Sequence, residues 1–248
     1  MTLWVFPAAL LIGLVLGLFG AGGGMLTVPA LMMVGEIPIK QAVPMSLWIV
    51  ALVSLTAAIH QKVWRDLQFR LLAVLGIAGV VGSGAGARIG IMLPDQIQLG
   101  LLAGLIFFVS IWIGFVRLEN KVQVFRYIPA VLAGLVVGLL TGMLGVGGGF
   151  LLVPVMIFLG VSHFPAAVGH SLVLITINAV SGGASYLIAE QVQIDMFFTL
   201  AVTLIAAFGS VAGGILLKRV ATEHLQKGFS MLLILLGCFV GWQALVFQ

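Results

Sequence analysis

The sequence predicts an all-α polytopic membrane protein made of two repeats that insert in opposite directions, and three observations carry that prediction. Of the 248 residues, 62% are hydrophobic and only 7% are Asp, Glu, Lys or Arg, at a mean hydropathy of +1.30. A soluble domain of that length needs far more charge to cover its surface. Seven runs carry no formal charge, at 1–35, 41–61, 71–87, 96–116, 127–189, 196–217 and 228–248, and about 20 apolar residues suffice to cross the hydrocarbon core. The third observation is that the chain repeats itself.

Shifted by 125 residues, GLFGAGGGMLTVPALMMVGEIPIKQAVPMSL (17–47) falls on GMLGVGGGFLLVPVMIFLGVSHFPAAVGHSL (142–172) with 13 identities in 31 positions. Composition alone does not align the fixed frame G-x-x-G-x-G-G-G-x-L-x-V-P. A second match, GSGAG (82–86) over GSVAG (209–213), comes at an offset of 127. The two halves, 1–120 and 121–248, therefore share one architecture. The apolar N-terminus lacks the basic residues that open a signal peptide, and its repeat partner is internal, so it is expected to be a retained helix.

With Gly and Pro marking the breaks, helices are expected at 3–19, 25–35, 42–60, 69–91 and 97–117 in the first half. Those of the second are expected at 129–145, 150–160, 167–189, 195–217 and 226–247. The second element of each half has about 11 residues, roughly 16 Å of helix, too short for an ordinary crossing. It reads as a half-helix following a Gly-rich break.

Charge sets the orientation. Nine of the 11 Lys and Arg fall in three connectors, 61–70, 117–126 and 217–228, which the positive-inside rule places in the cytoplasm. The connector with Lys62, Arg65 and Arg70 is matched in the other half by one with Glu190 and Asp195 and no basic residue. Equivalent loops thus carry opposite charge, as in inverted repeats, and both termini are expected outside. The first two elements of each half then make either two crossings or a re-entrant hairpin. Lys40, expected outside beside Glu36, runs against the rule. Trp4, Trp48, Trp64, Trp112 and Trp242 mostly fall near expected span ends, where Trp anchors helices at the interface.

The glycine triplets, Gly22, Gly23 and Gly24 and then Gly147, Gly148 and Gly149, disfavour a continuous helix by up to about 1 kcal/mol each. A break there leaves backbone N–H groups bare at the start of the next helix, where the dipole is positive: an anion cradle. Irregular backbone at membrane depth is tolerated only inside protein or around a polar cavity. The plainer reading is tight helix packing; Pro29 and Pro154, five residues beyond each triplet, favour a shaped break. No βαβ context or acidic partner supports nucleotide binding.

GLFGAGGGMLTVP and GMLGVGGGFLLVP, each followed by a proline-containing turn and an A-V-x-x-S-L segment, resemble the sulfite exporter TauE/SafE family of membrane permeases. The resemblance spans nearly the whole chain and occurs twice. It implies a secondary transporter or facilitator in the bacterial cytoplasmic (inner) membrane, moving sulfite, organosulfonates or related sulfur-containing organic anions by alternating access. Before each Ser-Leu pair, where the family pattern has a small hydroxylated residue, this chain has Met45 and His170.

Ser46 and Ser171 are repeat-equivalent, and their hydroxyls either donate to the anion or bond to their own helices. His170, in a 63-residue run free of formal charge, is a candidate anion ligand or proton carrier, or else a helix-end residue near water. Arg88 is the sole cation well within an expected span: either a pore charge or a side chain that snorkels outward. His60 reads as solvated and Asn178 as a bridge between helices. Four separated histidines and the lone Cys238 give no metal-ligand spacing, no cofactor is expected, and no disulfide can form within the chain. The expected partners are a small anion, the bilayer and a second copy in a homodimer, without nucleic acid. A channel, a membrane scaffold and an intramembrane serine protease are the rival classes. The last draws on G-S-x-x-G around Ser83, but that string recurs around Ser210, which favours helix packing.

Overall fold

The computed structural model describes residues 5–19, 23–65, 67–115, 127–161, 164–189 and 195–217, together with Met231 and Ile234. In order come α1 (Val5–Phe19), α2 (Gly23–Met33), α3 (Ile39–Gln61), α4 (Phe69–Met92), α5 (Asp95–Phe115), α6 (Tyr127–Leu144), α7 (Gly149–Phe158), α8 (Phe164–Ile188) and α9 (Met196–Leu217). Among the described residues there is no strand. The helix expected at 226–247 and the connectors with Glu190, Lys218 and Lys227 lie outside the described residues.

Among the described residues, five helices (α3, α4, α6, α8, α9) are long and apolar enough to cross a membrane. α2 has 11 residues and α7 has 10, so each is half a crossing at 1.5 Å per residue. α3 starts three residues before its expected position, because Pro38 takes the cap position at φ −57° and ψ 146°. Pro44 follows inside the helix, where it deprives only the Lys40 carbonyl of its intrahelical donor.

Glycines set the closest helix contacts, and they do so twice. A methyl group on Gly142 of α6 would strike the Ser83 carbonyl of α4, as one on Gly17 of α1 would strike Ser210 of α9. Gly138 meets Gly79 as Gly13 meets Ala206, and Gly86 meets Leu139 as Gly213 meets Leu14. These α4–α6 contacts are repeat images of the α1–α9 contacts, so the first helix of each half is clasped by the fourth helix of the other. Side chains small enough to let backbones touch gain dispersion and weak C–H···O contacts where lipid supplies no hydrophobic drive. The G-S-x-x-G strings are therefore packing surfaces.

The register gives directions. Leu75 faces Gly134 and Ser83 faces Gly142, and Gly79 and Gly90 lie against Asn178 and Tyr186; α4, α6 and α8 run parallel. α3 opposes α8, with Leu47 against Gly182 and Ser54 bonded to Thr176 at 2.8 Å. The ends of α1, α3 and α9 gather at Gln61, whose amide donates to the Gly17 carbonyl at 3.3 Å beside Gly214. Lys62 and Arg70 lie at this end, and Asp95 and Asp195 open α5 and α9 at the other. Asp195 caps α9 by accepting the Phe198 N–H at 2.9 Å. Lys40 also sits at the acidic end, but its ammonium donates to the Gly90 carbonyl at 2.9 Å and the Leu93 carbonyl and lies 3.7 Å from Asp95. Its charge is spent on the C-terminal end of α4. Outward faces are apolar: Ile77 and Val81 on α4 and Leu200, Leu204 and Phe208 on α9 are exposed, as lipid contact requires.

Candidate functional site

α6 ends at Leu144, and the chain unwinds before α7 begins at Gly149. Gly145, Gly147 and Gly148 take φ of +72°, +69° and +63°, a left-handed conformation that costs an L-residue about 1–2 kcal/mol. No side chain caps Gly148, and its carbonyl accepts the Leu151 and Leu152 N–H groups at 3.1 Å. Gly145 through Gly149 are all buried, so the break is enclosed by protein.

Its depth follows from its neighbours. Gly145 lies against Val43 and Ser46, whereas a methyl on Gly147 would come 2.6 Å from Val50 Cγ1 and 3.3 Å from Ile175 Cγ2. Val50 and Ile175 are repeat-equivalent and stand near the middle of 23-residue α3 and 25-residue α8. In the first half α1 stops at Phe19 and α2 starts at Gly23; Gly22 lies outside the described residues. Gly24 closes on the Val146 carbonyl, and a methyl there would sit 3.5 Å from Val50 Cγ2. The Gly-rich segments of the two halves thus touch each other at mid-length of the central helices, and α7 runs from there to the basic end. Helix N-termini at that point present N–H groups and positive dipole ends in a low-dielectric interior, a setting that favours an anion.

Ser46 and Ser171 are fully buried. The Ser46 hydroxyl reaches the Val43 carbonyl at 2.6 Å and the Gly145 carbonyl at 2.8 Å, and Ser171 reaches Val168 at 2.8 Å. Ser46 holds the unwound segment in place. His170 is also buried, with both ring nitrogens engaged by backbone. Nε2 accepts the Gln68 N–H at 2.9 Å, and Nδ1 stands 2.6 Å from the Ala166 carbonyl. The first bond requires a bare Nε2 and therefore fixes a neutral ring with its proton on Nδ1. His170 ties the start of α8 to the start of α4 at the basic end, away from the glycine segments. Arg88 is exposed near the acidic end of α4, on the side opposite the buried Gly86 and Gly90, and does not join the other candidates. His60 is exposed as well.

Several polar groups near the break carry no repeat signature and were not singled out by sequence. Thr141 stands beside Gly148 and donates to Val137 at 2.8 Å, and Ser54 and Thr176 link α3 to α8 near their midpoints. Ser83 donates to the Asn178 carbonyl at 2.7 Å, and Ser210 to Ala207 at 2.8 Å; neither hydroxyl is activated by a base. Trp64 is exposed at the basic end as an interfacial anchor should be. Trp48 instead lies well inside α3 against Gly183. Among the described residues no three His, Cys, Asp or Glu gather as metal ligands.

Residues 5–240 match the family described as sulfite exporter TauE/SafE. The probable membrane transporter protein YdhB of Bacillus subtilis is 32% identical over 185 residues, 71% of this chain and 75% of that protein. A probable membrane transporter protein of Methanocaldococcus jannaschii is 26% identical over 267 residues, covering 96% of both chains. YunE of Bacillus subtilis, named in the same way, is 25% identical over 94% of this chain and 96% of its own. No solved structure matches.

Proposed function

Because the chain belongs to the sulfite exporter TauE/SafE family, we propose that it moves a small sulfur oxyanion or organosulfonate across the membrane by alternating access. That it is a membrane transporter rather than an enzyme follows from the family; the anion, its site and the mechanism are our reading. The observation that carries it is the contact of Gly24 with Val146 at the level of Val50 and Ile175. Two Gly-rich segments, each opening a half-helix, meet inside the bundle at the depth where broken helices of paired repeats hold substrate.

The bound anion accepts hydrogen bonds from backbone amides of Gly22 to Gly24 and Gly147 to Gly149, and Ser46 supports the second segment from behind. Helix directions favour inverted halves, since equivalent α3 and α8 run antiparallel. With Lys62 and Arg70 at the cytoplasmic face, α7 runs from mid-depth toward the cytoplasm and α2 toward the outer face. Access alternates as the pair of clasped bundles, α1–α9 and α4–α6, rocks about α3 and α8. Proteoliposomes loaded with unlabelled sulfite and given trace radiolabelled sulfite outside test this. A carrier shows saturable uptake and transient overshoot by counterflow; linear flux without overshoot would assign a channel to the same fold.

A further inference from the structure

α4 is held at its two ends by the two central helices, and the two attachments differ in kind. At the acidic end Lys40, in the first turn of α3, donates to the Gly90 and Leu93 carbonyls. At the basic end His170, in the second turn of α8, accepts the Gln68 N–H at 2.9 Å through Nε2. Gln68 is the cap residue of α4, and its side chain makes no capping bond. The connector lies directly on α8 here: a methyl on Gly169 would come 3.0 Å from Val63 Cγ1. His170 is 1% exposed, whereas Gln68 is open to solvent. The repeat-equivalent of His170 is Met45, so the other half lacks the imidazole.

We infer that the His170–Gln68 bond is a proton-released latch on the cytoplasmic face, freeing the end of α4 so that the α4–α6 bundle swings from α8 and opens the path inward. Nδ1 already faces the Ala166 carbonyl at 2.6 Å and donates to it. A proton arriving at Nε2 leaves the ring with two donors and no acceptor, one of them pointing at the Gln68 N–H. Imidazole is the side chain that ordinarily changes charge between about pH 5 and 8, so the Lys40 attachment has no such step. The formal charges packed around this end are Lys62 and Arg65 on the connector and Arg70 on α4, with titratable His60 at the end of α3 and Tyr127 at the start of α6. α7 brings none, and Asp66 and His163 lie outside the described residues. Like charge from Lys62 and Arg70 therefore adds to the mismatch of donors. The latch rests on the alternating-access reading, but its first test needs no transport.

Val63→Cys, in a chain whose Cys238 is replaced by Ser, reports the lifting of the connector, because position 63 lies against Gly169. Its reaction with a maleimide is scaled to that of exposed Lys62→Cys, which corrects for the thiol's own dependence on pH. From about pH 8 to about pH 5.5 the scaled rate rises roughly three- to tenfold, the worth of one hydrogen bond. His170→Gln, whose side-chain carbonyl accepts the Gln68 N–H at either pH, keeps the rate low, and His170→Ala keeps it high. In sulfite counterflow the parent and His170→Gln match at the higher pH, and the parent is faster by a similar factor at the lower one. Sulfite's own ionisation is common to both. Scaled rates equal in the parent and His170→Gln at both pH values overturn the latch, however strong the counterflow. A rise in the parent's scaled rate without a difference in counterflow overturns its role as a gate and leaves the carrier reading standing. Absence of parental counterflow at both pH values overturns the carrier reading instead, with the scaled rates still deciding the latch.

Discussion

The hydroxyl of Ser46 donates to the carbonyl of Gly145 at 2.8 Å, joining the central helix of the first half to the unwound backbone of the second. Both groups are buried, and removing the donor leaves a carbonyl dry and unpaired. Ser46→Ala is expected to destabilise the protein by about 1–3 kcal/mol and to weaken sulfite binding, measured as a lowered melting temperature and a reduced sulfite-dependent shift. An unchanged melting temperature would remove Ser46 from the support of the break.

The break itself separates backbone strain from bulk. Gly147→Ala imposes about 1–2 kcal/mol of left-handed strain and drives a methyl to 2.6 Å from Val50 Cγ1, so transport should drop sharply. Val50→Ala in the same chain relieves the clash and should restore part of the flux. Gly76→Ala, whose added methyl meets nothing nearer than Leu174 Cδ2 at 3.5 Å, should leave flux intact and gain up to about 1 kcal/mol of helix propensity.

The clasps predict matched damage. Gly17→Val and Gly142→Val push side chains into the carbonyls of Ser210 and Ser83, atoms that cannot rotate away. Each should cost at least about 3 kcal/mol, with similar falls in folded yield from detergent. Tolerance of one substitution and loss of fold with the other would show that the two interfaces are not equivalent.

His170 acts as a neutral clasp between α8 and the connector leading to α4. His170→Ala leaves the Gln68 N–H unpaired, and faster hydrogen exchange at Gln68 is the expected result, with about 1–3 kcal/mol lost. Nitrogen NMR of the labelled imidazole should show a single neutral tautomer protonated at Nδ1. A charged ring would contradict the geometry.

Much of this fold was legible because a bilayer imposes simple rules. Charge-free runs and Gly-Pro punctuation locate the described helices within a few residues, and the triplet at 147–149 marks the break because glycine alone tolerates its backbone. α3 and α8 each begin three residues before their expected starts, α3 because Pro38 takes its cap position. Which helices touch was less legible: Gly17 and Ser210 are far apart in sequence, and only the recurrence of the small-residue strings hinted that they pack. His170 reads from sequence as an anion ligand, a proton carrier or a helix-end residue near water, and the backbone groups its two nitrogens meet depend on how α8 packs against the connector at Gln68.

Orientation is open to chemical labelling. In a chain whose native Cys238 is replaced by Ser, Lys62→Cys should react with a membrane-impermeant maleimide only after the cytoplasmic side is exposed. Asp95→Cys should react in intact cells. Reversed accessibility would invert the topology assigned from the basic connectors.

The most direct measurement is a structure of the protein in lipid with selenite, a heavier analogue of sulfite that can be located by its anomalous scattering. The account predicts one selenium peak within hydrogen-bond reach of the amides of Gly23–Gly24 and Gly147–Gly149, between Val50 and Ile175. Selenium bound elsewhere in the bundle while that position stays empty at saturating selenite would contradict it.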